Sequence, residues 1–313
     1  MSQPSPQASD AVLMVRPVRF GFNAQTAASN AFQHNDADSN SRATQLHALK
    51  EFNSYVATLK WHNIEVLVVE DTQEPHTPDS IFPNNWLSTH KDGRVVLYPM
   101  EAQNRRQERR ADIVEALTNQ YQYHITEVID ISHFEAEGKY LEGTGSLVID
   151  YPNRIAYACH SSRTHPEVVE ALSKKLGFEA VWFHGLDPDG QPIYHTNVMM
   201  AIAEKYAIVC LDAIPETGER DAVVQRLQHT GHDVIDIAYH QLLQFAGNMF
   251  EVADRDGKSK LIMSRAAYLS LTPAQIQQIE NHSAIIAVDI STIENYGGGS
   301  ARCMVAGIRL PKN

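Results

Sequence analysis

The stretch from Ser146 to Phe183 reads SLVIDYPNRIAYACHSSRTHPEVVEALSKKLGFEAVWF and contains one complete structural unit. Two short apolar segments, Ser146–Asp150 and Ile155–His160, predict a β-hairpin because turn-forming residues separate them. The spacing of apolar residues over Pro166–Leu176 predicts a helix. A further strand is predicted over Ala180–Phe183. The unit therefore has the order strand, strand, helix, strand.

The helix of this unit has its own start and stop signals. Thr164 and Glu167 have the spacing of a capping box, which satisfies free backbone N–H groups at a helix N-terminus. Gly177 directly follows the last helical residue, where glycine commonly ends a helix. The local signals therefore agree with the apolar pattern.

The same order of elements recurs along the chain with a period of roughly 50–60 residues, which is typical of repeat architectures. Three further units begin with the predicted strands Trp86–Thr89, Val198–Ala203 and Met249–Ala253. A fifth unit combines both chain ends, because Ala301–Ile308 supplies its first strand and Ala11–Pro17 its second. Pairing the two ends would close a ring and remove exposed sheet edges.

The fifth unit contains the longest predicted helix, Ser41–Lys60. Its apolar stripe consists of Leu46, Leu49, Phe52, Val56 and Leu59. Repeat units bury their apolar faces against neighbouring units. We therefore predict an α/β fold, a single five-bladed propeller domain over residues 11–313, with a flexible polar tail over residues 1–10. An ordinary two-lobed α/β protein is the alternative.

Composition restricts the classes of function. The 313 residues are 43% hydrophobic and 20% charged, with a net charge of −12 and a pI of about 5.6. Proteins that bind nucleic acid along its backbone usually present a basic face, so we expect no nucleic-acid partner. No apolar run reaches the roughly 18 residues of a membrane span, and the first residues lack a signal-peptide pattern. We expect a cytoplasmic protein with no membrane partner, and whether it forms a homo-oligomer stays open.

Three residues at predicted strand mouths are candidates for catalysis. Cys303 follows three consecutive glycines, which allow close approach to a ligand, and neighbours Arg302, a cation that favours a thiolate. His195 precedes an apolar strand and has a side-chain type suited to proton transfer near neutral pH. Glu142 is followed by glycines and can orient a histidine. Taken singly, Cys303 is equally typical of a core cysteine, His195 of a histidine with a structural role, and Glu142 of a turn residue.

Polar residues just before the predicted strand Trp86–Thr89 are candidates for substrate binding. Asp79, Asn84 and Asn85, beside the aromatic ring of Phe82, can hold a small polar group by paired hydrogen bonds. As an alternative, Asn and Pro are common in loops.

Two arginines at predicted helix starts, Arg106 and Arg163, suit a carboxylate, although such arginines more often solvate a surface. Cys159, His160 and His165 lack a second ligand pair at zinc-site spacing, so no metal site is predicted.

The combined motifs resemble the guanidino-group-modifying superfamily of arginine deiminases, dimethylarginine hydrolases and amidinotransferases, most closely its citrulline-utilisation hydrolase type. The resemblance extends from Met14 to Cys303 over nearly the whole chain. It is carried by Asp79–Trp86, Asn104–Arg106, Glu142–Ser146, His195–Val198, Gly247–Met249 and Gly297–Cys303. This superfamily has the five-bladed pentein fold.

The resemblance implies a role for each candidate. Cys303 corresponds to the nucleophile, His195 to the general acid and base, and Glu142 to the supporting carboxylate. Arg106 and Arg163 fall where related enzymes hold the substrate's α-carboxylate. Asp79 falls within the guanidine-binding segment, and no cofactor is implied.

Four positions depart from relatives that bind a guanidinium. Asn84, Asn85 and Asn197 stand where those relatives have acidic residues, and Ser146 stands where deiminases have aspartate. An amide can donate to a neutral ureido oxygen, whereas a carboxylate would repel it.

We therefore predict hydrolysis of L-citrulline to L-ornithine, ammonia and carbon dioxide. Arginine deiminase, arginine dihydrolase, which processes arginine beyond citrulline, and amidinotransferase are the enzyme alternatives. A non-catalytic pentein that binds a partner is the alternative from another class.

Overall fold

The computed structural model describes residues 6–312. In these residues fifteen strands form five sheets of three strands each. Every sheet contains an antiparallel pair and one parallel pair, and a helix connects the two parallel strands. Each sheet with its helix is here called a blade, and the first strand of its antiparallel pair is called the inner strand.

The strands of the five blades, each given with its inner strand first, are Ala306–Ile308, Ala11–Arg16 and Glu65–Glu70; Leu87–Thr89, Arg94–Leu97 and Glu127–Asp130; Val148–Asp150, Ile155–Cys159 and Glu179–Phe183; Met200–Ile202, Tyr206–Val209 and Asp233–Asp236; and Phe250–Ala253, Ser259–Ser264 and Ala284–Val288. The α-helices are Arg42–Trp61, Ala111–Asn119, Gly143–Ser146, Pro166–Leu176, Thr196–Met199, Thr217–His229, Tyr239–Leu242, Arg265–Ser270, Pro273–Glu280 and Ser291–Gly297. The 3₁₀ helices are Pro83–Asn85, Arg105–Glu108, Ser132–Glu137 and Leu211–Ala213.

The blade built from both chain ends closes the ring. Leu13 pairs with Ala306 in the antiparallel register, and Ala11 pairs with Glu65 in the parallel register. Neighbouring blades contact each other along their inner strands or the turns before them. The predicted five-bladed pentein propeller is confirmed.

The long helix Arg42–Trp61 packs its apolar face on the closing blade. Ser41 caps its N-terminus by accepting a hydrogen bond from the amide of Thr44. Its buried apolar residues are Ala48, Phe52, Tyr55, Val56 and Leu59. The predicted stripe was partly wrong, because Leu46 is 53% exposed and the buried face passes through Ala48 and Tyr55 instead. No helix in the described residues is long and apolar enough to cross a membrane.

The helix Pro166–Leu176 has the predicted bounds, and Gly177 ends it with a φ of 72°. Its predicted capping box does not form. His165 is the N-cap, and its Nδ1 accepts from the amide of Glu167. The Thr164 hydroxyl instead accepts a hydrogen bond from Ser161, because this residue belongs to the preceding turn.

Several predicted inner strands begin later than expected. Helical turns occupy Gly143–Ser146 and Thr196–Met199, and a non-regular turn occupies residues 301–304. The strands begin only at Val148, Met200 and Ala306. Near the ring axis the chain turns before it joins a sheet, so these segments are free to carry side chains toward the centre.

The prediction of a flexible tail over residues 1–10 is wrong for residues 6–10, which are held in place. Gln7 is buried and donates to the carbonyl oxygens of Ile149 and Ile202. Ser9 is also buried and forms a parallel bridge with Val252. These backbone partners order the segment. The prediction for residues 1–5 lies outside the described residues.

Candidate active site

The five turns that precede the inner strands meet at the ring axis. Asn84, Gly145, Asn197, Gly247 and Cys303 each lie three residues before the first residue of an inner strand. The repeat therefore places three functional side chains and two glycines at equivalent positions.

The two glycines permit this close approach. A Cβ on Gly145 would lie 2.3 Å from Nδ2 of Asn85 and 2.9 Å from Nδ1 of His195. A Cβ on Gly247 would lie 2.3 Å from the carbonyl oxygen of Val198. Any side chain at either position would push the turns apart.

Cys303 is held by three asparagines. Nδ2 of Asn248 lies 3.3 Å from the Cys303 sulfur, and Nδ2 of Asn197 lies 3.8 Å from it. Asn84 donates its amide to the Cys303 carbonyl oxygen at 2.7 Å. Two amide N–H groups are thus available to stabilise negative charge on the sulfur.

His195 and Glu142 form a buried pair. Nε2 of His195 lies 2.8 Å from Oε2 of Glu142, and both side chains are almost fully buried. The other Glu142 oxygen accepts from the amide of Glu101 at 3.0 Å. Nη1 of Arg163 lies 3.4 Å from Oε2. The glutamate therefore orients the imidazole and is itself fixed by two further donors.

The charges of this pair follow from its surroundings. Burial alone raises the pKa of Glu142, but the charge of Arg163 and the hydrogen bond from His195 outweigh it and hold that pKa well below its usual range. Burial lowers the pKa of His195 to about 4 despite the neighbouring Glu142. At neutral pH the carboxylate is therefore ionised and the imidazole neutral. Because a carboxylate only accepts, Nε2 carries the imidazole proton and Nδ1 remains a proton acceptor.

A small cavity, of about 20 Å³, lies in front of these turns. Six of the predicted residues line it, namely Asp79, Phe82, Asn85, Arg163, His195 and Cys303. Asn84, Glu142 and Asn197 lie directly behind its wall, where they contact Cys303 or His195. Nine of the ten predicted site residues are therefore brought together.

Asp79 supplies a carboxylate to this cavity. Its Oδ2 accepts from Nδ2 of Asn23 at 2.7 Å, whereas its Oδ1 is buried without a hydrogen-bond partner in residues 6–312. Burial raises the pKa of Asp79, and the nearby Arg105 only partly offsets this effect. The unpaired oxygen is available to a ligand.

Arg106 is the tenth residue, and it does not line the cavity. Its guanidinium donates to the carbonyl oxygens of Met100 and Glu101 and lies over the ring of Tyr140. Arg105 lines the cavity in its place. The two side chains diverge because they lie in a tight 3₁₀ turn, where successive residues point in different directions.

Arg105 is fully engaged by the protein. It forms two hydrogen bonds of 2.9 Å with Glu108 and one of 3.0 Å with Oδ1 of Asn85. Its role in this geometry is to orient Asn85 and to place positive charge beside Asp79, from which its Nε lies 3.7 Å.

The segment over residues 18–40 covers the cavity. Nη2 of Arg163 donates to the carbonyl oxygen of Thr26 at 3.0 Å, and Nδ2 of Asn30 donates to that of Gly298 at 3.3 Å. Phe32 packs against Phe245 with ring centroids 4.9 Å apart. These contacts hold the segment over the cavity.

Asn248 and Arg105 are site residues to which the sequence assigned no role, although both lie in motifs that carry the family resemblance. Asn248 directly follows Gly247, which occupies the axial position of its turn, and this position was the signal that could have identified it.

Arg105 and Glu108 have the i,i+3 spacing of an ion pair. This spacing distinguishes Arg105, which is buried, from Arg106. Thr26 and Asn30 lie in a segment without periodicity and gave no such signal.

In residues 6–312 no group of three or more His, Cys, Asp and Glu side chains is arranged to hold a metal ion.

Residues 16–310 match the family described as N,N dimethylarginine dimethylhydrolase, eukaryotic. The chain belongs to this family. The family lies within the guanidino-group-modifying, or pentein, superfamily that the sequence motifs indicated. No curated protein sequence matches the chain.

Solved structures of other penteins are similar to the chain. An arginine dihydrolase from the ornithine–ammonia cycle in cyanobacteria, ArgZ, superimposes with a TM-score of 0.72 at 17% identity, covering 95% of this chain and 40% of that chain. Its N-terminal domain, bound to substrate, has a TM-score of 0.71 at 17% identity, and the match covers 96% of this chain and 99% of that domain. A dimethylarginine hydrolase from Pseudomonas aeruginosa complexed with citrulline has a TM-score of 0.65 at 16% identity. The match covers 96% of this chain and 99% of that chain.

The chain thus spans less than half of the full-length dihydrolase. At these identities the likeness establishes the fold alone.

Proposed function

We propose that the chain is a cysteine-dependent hydrolase of the ureido or guanidino group of a free amino acid, with L-citrulline as its preferred substrate. The observation that carries the proposal is that Cys303, with two amide N–H groups at its sulfur, lines the same cavity as the Glu142-bound His195. A nucleophile, a proton acceptor and a group that orients the acceptor are the parts that covalent hydrolysis needs.

The first step forms a bond between sulfur and carbon. The Cys303 thiol gives its proton to Nδ1 of His195, and the thiolate attacks the trigonal carbon of the ureido group. The amides of Asn197 and Asn248 stabilise the thiolate before attack. The product is a tetrahedral intermediate on the sulfur.

The second step breaks the bond between carbon and the δ-nitrogen of the substrate. His195 gives its proton to this nitrogen, ornithine leaves, and a carbamoyl group remains on Cys303. His195 then takes a proton from water, the resulting hydroxide attacks the carbamoyl carbon, the C–S bond breaks, and His195 returns the proton to the Cys303 thiolate. The carbamate released decomposes to ammonia and carbon dioxide, so citrulline and one water are fully accounted for.

The preference for a neutral head group rests on charge. Asn84 and Asn197 place amides at the nucleophile, Asn85 lines the cavity, and the charge of Glu142 is already matched by Arg163. Asp79 is the carboxyl that remains in the cavity lining, and burial raises its pKa. When it is protonated, Asp79 can donate to a ureido oxygen, whereas a guanidinium has no oxygen to accept this proton.

A guanidinium substrate is the second candidate, and one observation favours it. Oδ1 of Asp79 and Oδ1 of Asn197 are both buried without a partner in residues 6–312. Two unpaired acceptors suit a head group that carries only N–H donors. Arginine or a methylated arginine would keep Asp79 ionised, because an opposite charge nearby lowers the pKa of a carboxyl.

We assign the substrate's α-carboxylate to Arg163 and not to Arg106, because only Arg163 lines the cavity. In the closed structure Arg163 donates to the hydroxyl of Ser29 and the carbonyl oxygen of Thr26. Both acceptors belong to the covering segment, so substrate entry requires this segment to move and release the guanidinium.

The test is to incubate the purified chain separately with L-citrulline, L-arginine and dimethylarginine, and to quantify ornithine, citrulline, ammonia and dimethylamine. Ornithine and ammonia from citrulline would support the proposal. Citrulline from arginine or dimethylarginine, without further conversion, would replace the proposal with the second candidate. No turnover of any of the three would favour a non-catalytic pentein. The Cys303→Ala variant is the control for contaminating enzymes.

A further inference from the structure

A second cavity, of about 40 Å³, lies on the ring axis beyond the catalytic turns. All five inner strands contribute to its lining, through Ser88, Ile149, Met200, Phe250 and Gly307. The substrate cavity is instead lined partly by the turns that precede such strands. The two cavities therefore lie at successive levels of the axis, and we call the second one the axial cavity.

Two arginines line the axial cavity, Arg302 and Arg309. In residues 6–312 neither guanidinium has a carboxylate oxygen within 4.0 Å. Arg302 donates to the carbonyl oxygen of Val305 at 2.9 Å and lies over the ring of Phe250. Its other side-chain N–H groups have no hydrogen-bond partner in these residues.

Arg309 is held mainly by the backbone. It donates to the carbonyl oxygen of Pro6 at 2.8 Å, and its guanidinium carbon lies 3.7 Å from the ring centroid of Tyr151. It is only 9% exposed. Its partners hold the guanidinium in place without neutralising its charge.

The one carboxyl among the described residues of the lining, Glu251, forms no ion pair with either arginine, although its charge partly offsets the effect of burial on Arg309. Its oxygens accept from the hydroxyl of Ser259 at 2.6 Å and from the amide of Glu204 at 2.8 Å. Burial raises the pKa of Glu251, and it lowers the pKa of Arg302 to about 10 and also that of Arg309. Arg309 is buried and Arg302 is half-buried, and arginine is rarely removed from water without an anionic partner, because desolvation of its charge is unfavourable.

We propose that the axial cavity binds a small planar oxyanion, of the size of nitrate or bicarbonate, between Arg302 and Arg309. A planar guanidinium pairs with a planar oxyanion through two parallel hydrogen bonds, and the unpaired N–H groups of Arg302 provide such donors. The site differs from the catalytic one, because Cys303 lines the first cavity and its neighbour Arg302 lines the second. The proposal does not depend on which substrate Cys303 attacks.

The first test is a thermal titration of the full chain with sodium nitrate and with sodium bicarbonate, balanced by sodium fluoride at constant ionic strength. A rise in Tm of about 2 °C is expected at a tenfold excess over Kd, increasing with the logarithm of anion concentration. Arg302→Met should abolish this rise. Arg265→Met, which removes the same charge from an exposed position, should retain it. An equal response in both variants would overturn the proposal.

A crystal structure grown in nitrate provides an independent measurement, which stands even if the Arg302 variant does not fold. Planar density hydrogen-bonded to Arg302 is expected in the axial cavity. Water or empty space there, at nitrate concentrations well above the Kd from the thermal titration, would contradict the proposal.

Discussion

Cys303 and Cys159 are the same residue type in two neighbouring surroundings. Cys159 ends a strand of the third blade, is fully buried, and its sulfur contacts the Ile193 carbonyl oxygen and the Thr196 hydroxyl, each at 3.4 Å. Burial raises the pKa of its thiol to about 11. Cys303 lies in a turn before a strand, faces a cavity and has two amide N–H groups at its sulfur.

The difference lies in the backbone. A residue within a strand points either into the apolar layer between blades or toward solvent, so Cys159 packs among aliphatic groups. A residue in a turn at the ring axis meets the corresponding turns of the other blades, which here present amides, a histidine and glycines. The propeller thus separates an apolar layer that holds the fold together from a polar centre where chemistry can occur.

The largest expected contrast is between substitutions of the two cysteines. Cys303→Ala should lower turnover by roughly 10⁴-fold or more, since a covalent mechanism loses its nucleophile. Cys159→Ala should leave kcat within a fewfold of wild type and lower the free energy of unfolding by about 1 kcal/mol. Steady-state kinetics and denaturant unfolding of both variants check this. Near-normal turnover of Cys303→Ala would exclude the mechanism.

The next contrast is between the buried His195–Glu142 pair and an exposed pair of the same chemistry. Glu142→Gln should lower kcat by roughly 10²–10⁴-fold, because the imidazole loses the carboxylate that fixes its tautomer and orientation. Glu219→Gln, which changes the exposed His184–Glu219 pair at 2.9 Å, should leave kcat unchanged. Equal effects of the two substitutions would show that Glu142 acts through the fold alone.

A smaller effect is expected at Asn248. Asn248→Ala removes the amide 3.3 Å from the sulfur and should lower kcat by about 10–100-fold. This loss is no larger than the loss of kcat, roughly 100–1000-fold, that follows removal of one hydrogen-bond donor from an oxyanion hole. Asn281→Ala, an exposed helix-end position, is the matched control. Rates of Cys303 alkylation should fall in parallel with kcat. A variant with unchanged alkylation would remove Asn248 from the site.

The smallest effect concerns stability and pH. The pKa of His195 falls from 6.5 to about 4 on folding, so between these values the unfolded chain binds more protons than the native chain. The free energy of unfolding should therefore decrease as pH falls through this window, by about 1–3 kcal/mol from this residue. His195→Gln should flatten that part of the curve, whereas the exposed-site control His229→Gln should not. Urea unfolding from pH 7 to 4 measures the difference, and identical curves for wild type and His195→Gln would refute it.

Much of the fold could be predicted because each blade repeats the same local signals. The helix Pro166–Leu176 and the strand Ala284–Val288 have the bounds predicted from their apolar patterns and glycine or proline neighbours. The short turns over Thr196–Met199 and residues 301–304 could not be predicted, because they contain apolar residues of their own and lead directly into apolar strands. The exposure of Leu46 also depends on how the helix is rotated against its blade.

The candidate site was predictable where a residue type and a strand mouth coincide, as for Cys303, His195 and Glu142. The choice between Arg105 and Arg106 was not, because one residue in a 3₁₀ turn decides which side chain enters the cavity. The segment over residues 18–40 covers the site without any periodic pattern, so only the folded chain shows its contacts.

The most direct test of the central claim is labelling with iodoacetamide at neutral pH, with the modified residue identified by peptide mass spectrometry. The account predicts one label per chain, on Cys303, with loss of activity in proportion and protection by citrulline. Cys159 and Cys210 should stay unmodified while the chain is folded. Full activity in a chain labelled at Cys303, or preferential labelling of Cys159, would contradict it.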